Sequence, residues 1–136
     1  GWRGNSYDIL TGTTNVPKRI VIALAPSNNN IMYVAFENGE AGFDNDVDLY
    51  RVDLSTNTWS NRTGGILDYG GAVGTFDTQG GYDLCIGVKP NDPNLVILGG
   101  VNLLRSTNGF QTLNATEWIG GYGDANLNPF LYPNHH

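Results

Sequence analysis

The segment that decides the fold is LCIGVKPNDPNLVILG at residues 84–99, because it repeats an earlier segment, IVIALAPSNNNIMYVA at residues 20–35. Pro90 aligns with Pro26, so an offset of 64 residues (90 − 26) relates the two copies. The match resumes later in each copy, where Leu-Leu-Arg at 103–105 aligns with Leu-Tyr-Arg at 49–51. The offset there is 54 residues (103 − 49), so the first copy contains about ten extra residues, mostly an acidic loop. Such self-similarity indicates a fold built from repeated units.

Each copy has the pattern of four short strands separated by turns. The first strand is a nearly continuous apolar run, which predicts a strand covered on both faces. The Pro-Asn-Asp-Pro-Asn segment at 90–94 is typical of a turn, because Pro presets φ and Asn or Asp side chains replace backbone hydrogen bonds. Gly (19) and Asn (17) are abundant, and both residues favour tight turns. No segment shows a useful helical period, so the sequence predicts an all-β protein.

Four-stranded repeats with turn-rich connections are typical of β-propeller blades. We therefore predict a propeller segment of about two four-stranded blades. Closed propellers have roughly four to eight blades, so we expect the rest of a larger propeller, of about six to eight blades or more, as remaining blades or neighbouring chains. The expected division is a lead-in from the edge of a preceding blade at 1–17, a first blade with the acidic loop insertion at 18–78, and a second blade with the start of the next connection at 79–136.

Charge and hydropathy exclude two classes of partner. The net charge is −6 and the seven basic residues are scattered, so the chain lacks the basic surface that nucleic-acid binding requires. The apolar stretches are strand-sized, far short of the roughly 20 residues of a membrane helix. We therefore expect neither a nucleic-acid partner nor a membrane span.

Residues 79–118 resemble the BNR/Asp-box propellers, which include sortilin-like and large secreted bacterial proteins. The segment STNGFQT at 106–112 is similar to the Asp-box turn, S-x-D-x-G-x-T-W, although Asn108 replaces the Asp and no Trp follows Thr112. A weaker version occupies 53–59 of the first copy and lacks the Gly. The resemblance implies that Ser106, Asn108, Gly109 and Thr112 form a structural turn between the third and fourth strands. In that family the turn caps backbone amides and performs no chemistry.

The loop around Asp44, Asp46 and Asp48 is a candidate calcium site, because carboxylates at alternate positions of a turn can converge on one hard cation. Glu37 and Glu40 lie nearby in sequence and offer further oxygen ligands. The EF-hand spacing of Gly and Glu is absent, and the alternative is a solvated loop whose last Asp begins a strand.

Two sequons, at Asn61 and Asn114, predict N-glycosylation and a secreted, extracellular protein. The absence of an initiator Met at Gly1 suggests a mature or excised piece. The single cysteine, Cys85, excludes an internal disulfide, and its apolar neighbours predict an inert core position.

No residue is assigned a catalytic role. Asp83 is a candidate acid at the start of a strand, but its repeat counterpart (83 − 64) is Arg19, so repeat symmetry supplies no carboxylate pair. Aromatic residues in glycine-rich segments are candidates for stacking on sugars, with packing between blades as the alternative: Trp2, Tyr69, Tyr122, Phe130 and Tyr132. The sequence thus favours a non-catalytic extracellular module that serves as a scaffold or as a binding and assembly surface for a protein or glycan. The alternative is a fragment of a secreted glycoside hydrolase or sialidase-like propeller that acts on polysaccharide.

Overall fold

A computed structural model describes residues 19–38, 47–69 and 75–121 of the chain. Within these ranges eight strands form two four-stranded antiparallel sheets, and the prediction of an all-β protein is confirmed. Sheet 1 consists, in order across the sheet, of β1 (Ile20–Ala25), β2 (Asn28–Glu37), β3 (Val47–Asp53) and β4 (Thr58–Asn61). Sheet 2 consists in the same way of β5 (Cys85–Val88), β6 (Val96–Gly99), β7 (Leu103–Ser106) and β8 (Thr116–Gly120). Short 3₁₀ turns at Thr63–Gly65 and Leu113–Ala115 are the helical elements of the described residues, and none could span a membrane.

The two sheets repeat not only the sequence pattern but also the pairing of the strands. Ile22 on β1 lies opposite Val34 on β2, and the residues 64 positions later, Ile86 and Leu98, lie opposite each other in sheet 2. The next pair of strands behaves likewise, because Val34 pairs with Tyr50 and Leu98 pairs with Leu104. The sequence repeat therefore corresponds to a repeat of hydrogen-bonded register.

One hydrophobic core is shared by both sheets, and we call the face of each sheet that enters it the inner face. The sheets also meet directly where β1 contacts β5. Core side chains from sheet 1 and sheet 2 are Ile31, Tyr33, Ala35, Val47, Leu49, Val96, Leu98, Leu104 and Trp118. Because side chains alternate along a strand, the intervening residues of each strand form an outer face on the opposite side.

The outer face of sheet 1 contains a second buried cluster. It is formed by Val34, Phe36, Tyr50 and Val52, with Met32 and Trp59 at its margin. The rings of Phe36 and Tyr50 meet edge to face with centroids 5.9 Å apart, and Tyr50 meets Trp59 at 6.1 Å. Such geometry is the favourable one for aromatic pairs, so sheet 1 is packed on both faces over β2 and β3.

The first strand of each sheet departs from the expectation of cover on both faces. On β1 the outer-face residues Ile20, Ile22 and Leu24 are 49%, 59% and 57% exposed. Cys85 on β5 is also exposed rather than buried, because it lies on the face opposite Ile86, which packs against the core. The prediction of an inert core cysteine is therefore wrong. The apolar run correctly indicates strands, but only one face of each first strand is covered.

The backbone of the turn after β4, in sheet 1, lies very close to the backbone of the turn between β7 and β8, in sheet 2. A Cβ added to Gly65, in the turn after β4, would collide with the main-chain carbonyl of Phe110 in the turn between β7 and β8. A Cβ added to Gly109 would collide with the hydroxyl of Tyr33 on β2. The Tyr33 hydroxyl also donates a hydrogen bond to the carbonyl of Pro93, 3.0 Å away. The turns of sheet 2 are thus fixed directly against sheet 1.

Candidate functional site

The segment resembling an Asp-box forms the turn between β7 and β8, the third and fourth strands of sheet 2. Ser106 is fully buried, and its Oγ accepts hydrogen bonds from the Phe110 amide at 2.8 Å and the Asn108 amide at 3.4 Å. The Asn108 Oδ1 accepts the Gln111 amide at 3.0 Å, and the Asn108 Nδ2 donates to the Thr112 hydroxyl at 2.8 Å. These side chains satisfy amides that the tight turn leaves without strand partners.

The main chain of this turn bends through left-handed conformations at two successive residues. Gly109 has φ of 65° and Phe110 has φ of 57°. The bend buries the Phe110 ring completely and brings the Gly109 amide to the Asn94 carbonyl, which accepts its hydrogen bond at 2.7 Å. The side chains of Ser106, Asn108 and Thr112 are hydrogen-bonded to one another or to backbone, so the arrangement positions a hydrophobic anchor rather than reactive groups.

We expect Ser106→Ala to lower the free energy of unfolding by about 1–3 kcal/mol, because it leaves the buried Phe110 amide without an acceptor. Urea denaturation followed by tryptophan fluorescence measures this loss. Thr107→Ala is the control, since Thr107 is exposed and its hydroxyl makes one long hydrogen bond of 3.4 Å to Ala115. Equal stability of the two variants would show that the serine does not hold the turn.

The corresponding turn of sheet 1, between β3 and β4, is capped from its first residue. The Asp53 Oδ1 accepts hydrogen bonds from the Ser55 hydroxyl at 2.6 Å and the Ser55 amide at 2.9 Å. These bonds, with the hydroxyl contributing most, hold the pKa of the Asp53 carboxyl below its usual value. This carboxylate therefore stabilises the turn through Oδ1.

Asp48, one of the three carboxylates of the candidate calcium site, lies on β3 opposite Phe36. Asp44 and Asp46 lie outside the described residues, as does Glu40. Glu37 pairs with Val47 and is only 1% exposed. Since neighbouring positions of a strand face opposite sides, Glu37 belongs to the inner face of sheet 1 and Asp48 to the outer face. Within residues 19–38, 47–69 and 75–121, no three His, Cys, Asp or Glu side chains group to hold a metal, and the calcium site stays a prediction.

Both glycosylation candidates are exposed. Asn61 ends β4, and its Oδ1 accepts the Thr63 amide at 2.8 Å. Asn114 lies just before β8, where its Oδ1 accepts the Thr112 hydroxyl at 2.6 Å. Neither hydrogen bond uses the amide nitrogen that carries an N-linked glycan, so each position is accessible for modification and its use remains a prediction.

A buried polar region, the first-strand end, lies where β1 and β5 begin and β2 ends. Polar side chains in or beside it are Glu37, Asn38, Thr75, Thr78 and Asn102, each at most 5% exposed. Thr78 Oγ1 accepts the Gly81 amide at 3.0 Å, and Asn102 Nδ2 donates to the Thr75 carbonyl at 3.1 Å. Of these five residues only Glu37 was singled out by the sequence pattern, because the others are distant in the chain and ordinary in type.

The repeat-related positions Arg19 and Asp83 also belong to the first-strand end. The Arg19 guanidinium donates a hydrogen bond to the Tyr82 carbonyl at 3.2 Å, and the Arg19 carbonyl accepts the Glu37 amide at 3.0 Å. Asp83 is half-buried, and its amide donates to the Thr78 carbonyl at 3.1 Å. Tyr82 itself is 80% exposed. The structure therefore brings a cation, rather than a second repeat-related acid, to the neighbourhood of Asp83.

Arg51 on β3 and Arg62, just after β4, lie near the buried phenol of Tyr33. Arg51 pairs with Tyr33 across β2 and β3, and its positive charge lies near the phenol. Burial raises the pKa of Tyr33, and the charge of Arg51 partly opposes this. Burial likewise holds the pKa of Arg62 below its usual value, and its Nε has no hydrogen-bond partner. Of these groups, Tyr33 contacts sheet 2 directly, through the hydrogen bond that its hydroxyl donates to the Pro93 carbonyl.

Of the aromatic residues considered for sugar stacking, Tyr69 is described and the other four lie outside the described residues. The Tyr69 ring is half exposed and lies 5.6 Å, centroid to centroid, from Trp118 on β8. Packing against the core thus accounts for one side of this ring.

Comparisons of the chain with protein-family models, with curated proteins and with solved structures found no match.

Proposed function

We propose that this chain is a segment of a secreted β-propeller in which sheets 1 and 2 are neighbouring blades. Its role is non-catalytic, as an extracellular scaffold or as a binding and assembly surface. Two four-stranded antiparallel sheets with repeated register and one shared core support the proposal, because propellers are built from such stacked sheets.

The observation that carries the proposed function is the exposed row Ile20, Ile22 and Leu24 on the outer face of β1. Rows of large aliphatic side chains in contact with water mark surfaces that associate with another protein. The repeat-equivalent residues of Ile22 and Leu24 are Ile86 and Val88, and both pack against the shared core. The same positions are therefore covered in sheet 2 and open in sheet 1.

The surroundings of Asp83 support a non-catalytic role. Glycoside hydrolysis by the common mechanisms requires two carboxyl groups on either side of the scissile bond. At the first-strand end, the repeat counterpart of Asp83 is Arg19, whose guanidinium donates a hydrogen bond to the Tyr82 carbonyl, and the other carboxyl of that region, Glu37, is only 1% exposed. A scaffold or binding surface needs no such pair.

Incubation of the chain with labelled neutral and acidic polysaccharides tests the proposal. We expect no release of reducing ends above a protein-free blank, and retention of the chain on an immobilised polysaccharide if its ligand is a glycan. Turnover that is lost in Asp83→Asn and kept in Asp77→Asn would instead establish the glycoside hydrolase alternative. Asp77 is a matched control, because it is exposed and an asparagine there can still accept the Gln79 amide.

A further inference from the structure

The turn between β7 and β8 contains an Asn-Gly pair, Asn108-Gly109, and the sequence has another at Asn38-Gly39. In an unfolded chain such a pair is chemically labile, because glycine has no side chain to hinder attack of its main-chain nitrogen on the asparagine side chain. We infer that Asn108 is a latent deamidation site, which the closed turn keeps intact and which opening of the turn converts irreversibly. This inference goes beyond the proposed function and does not depend on it.

The reaction changes the Asn108 side chain in two steps. In the first, the Gly109 nitrogen gives its proton to hydroxide and bonds to the Asn108 Cγ. The bond from Cγ to Nδ2 breaks, and Nδ2 takes a proton from water and leaves as ammonia. In the second step, water opens the resulting cyclic imide at either carbonyl, which yields aspartate or isoaspartate. Overall, water is consumed and ammonia released, and nothing is oxidised or reduced.

The nucleophile of this reaction is occupied in the closed turn. The Gly109 amide donates a hydrogen bond to the Asn94 carbonyl at 2.7 Å, so removal of its proton also removes this bond. Gly109 is buried with φ of 65°, and a Cβ built on it would collide with the Tyr33 hydroxyl. The main chain at Gly109 therefore has little room to rearrange while the turn is packed against sheet 1.

The side-chain amide of Asn108 is held at both ends. Its Oδ1 accepts hydrogen bonds from the Ser106 hydroxyl at 3.1 Å and the Gln111 amide at 3.0 Å. Its Nδ2 donates to the Thr112 hydroxyl at 2.8 Å. Cγ becomes tetrahedral during the attack, which moves both ends out of these positions. The turn must therefore open before Asn108 reacts.

Conversion to isoaspartate should prevent the turn from closing again. The main chain of isoaspartate runs through the former side chain, so it is one carbon longer before Gly109. The contacts of Gly109 with Asn94 and Tyr33 are set for the shorter main chain. The same turn holds the Phe110 ring in the core shared by the sheets. An opening that is otherwise reversible thus becomes permanent at this residue.

Mass spectrometry of the aged chain tests the inference. The full chain is kept at mildly alkaline pH, either folded or unfolded in guanidinium chloride, and is then digested with trypsin. Cleavage after Arg105 releases Asn108 in the peptide that begins at Ser106, whereas Asn38 lies in a different peptide. If only the open turn reacts, the folded rate equals the unfolded rate multiplied by the open fraction. We expect Asn108 to convert at least about tenfold more slowly in the folded chain, for which an opening free energy of about 1.4 kcal/mol suffices.

A pair of variants tests whether the turn itself protects Asn108. Ser106→Ala removes the hydrogen bonds of the serine hydroxyl to Phe110 and Asn108, so it should raise the folded rate about tenfold and leave the rate in guanidinium unchanged. Thr107→Ala, at an exposed neighbouring position, should change neither rate. Conversion in the unmodified folded chain that is as fast as in the unfolded chain, or faster because donors at Oδ1 promote the attack, would overturn the inference. This comparison holds whether or not Ser106→Ala folds.

Asn108→Asp separates the effect of the new charge from that of the longer main chain, because it reproduces the aspartate product alone. The chain converted to isoaspartate at Asn108 only, identified by its peptides, is refolded and its urea midpoint is measured. We expect this midpoint to lie below that of Asn108→Asp, since only isoaspartate displaces Gly109 from its contacts. Equal midpoints would show that the turn closes after conversion, and the irreversible step would then be wrong.

Discussion

Gly65→Ala is expected to lower the free energy of unfolding by about 3 kcal/mol, near the upper end of the usual cost of overpacking. A methyl group at this position would collide with the Phe110 carbonyl, which is main chain and cannot move aside as a flexible side chain does. The collision would separate the turn after β4 from the turn between β7 and β8, and thereby weaken the contact between the sheets. Urea denaturation monitored by far-UV circular dichroism measures the loss.

Gly64→Ala, one residue away, provides the control. No atom lies within 4 Å of a Cβ built on Gly64, and the residue is exposed to solvent. We expect a change within about 0.5 kcal/mol, as for other surface substitutions. If the two alanine variants unfold at the same urea concentration, the close approach of Gly65 to Phe110 does not contribute to stability.

Phe110→Ala is expected to have the largest effect, a loss of about 3–5 kcal/mol. The Phe110 ring is fully buried in the core shared by the sheets, although it belongs to a turn. Its removal leaves a cavity between sheet 2 and the part of sheet 1 that faces it. Leu113→Ala, at a position 50% exposed in the following 3₁₀ turn, should change stability by no more than about 0.5 kcal/mol.

A second variant at the same position tests the backbone part of the explanation. Phe110 has φ of 57°, a conformation that glycine adopts without steric cost. We therefore expect Phe110→Gly to be no less stable than Phe110→Ala, although glycine ordinarily costs about 0.5–1 kcal/mol relative to alanine in regular structure. A glycine variant clearly less stable than the alanine variant would contradict a left-handed turn at this residue.

The strands and their pairing could be predicted from the sequence because they depend on local pattern. The apolar runs, the Pro-Asn turns and the 64-residue repeat indicated two equivalent four-stranded units, and both sheets have equivalent register. The exposure of the first strands could not be predicted in this way. An apolar run such as 20–25 indicates that a strand can be buried on both faces. Whether each face is buried depends on which other parts of the molecule pack against it.

The contacts that hold one sheet against the other could not be predicted from the sequence pattern either. Gly65 and Phe110 are 45 positions apart (110 − 65) and belong to turns, where glycine and aromatic residues have many uses. The same holds for the buried polar region around Thr78 and Asn102, whose members are united only by the fold. The family resemblance, in contrast, pointed to the turn at 106–112, because its residue types and spacing follow directly from local hydrogen bonding.

The anchoring of Phe110 in the shared core has a consequence for how the molecule opens. A turn that would otherwise fray independently is tied by its ring and by Gly109 to residues of the other sheet. Amide protons of β7 and β8 should thus exchange with solvent only when the contact with sheet 1 is lost, so the two sheets form a single cooperative unit of local unfolding.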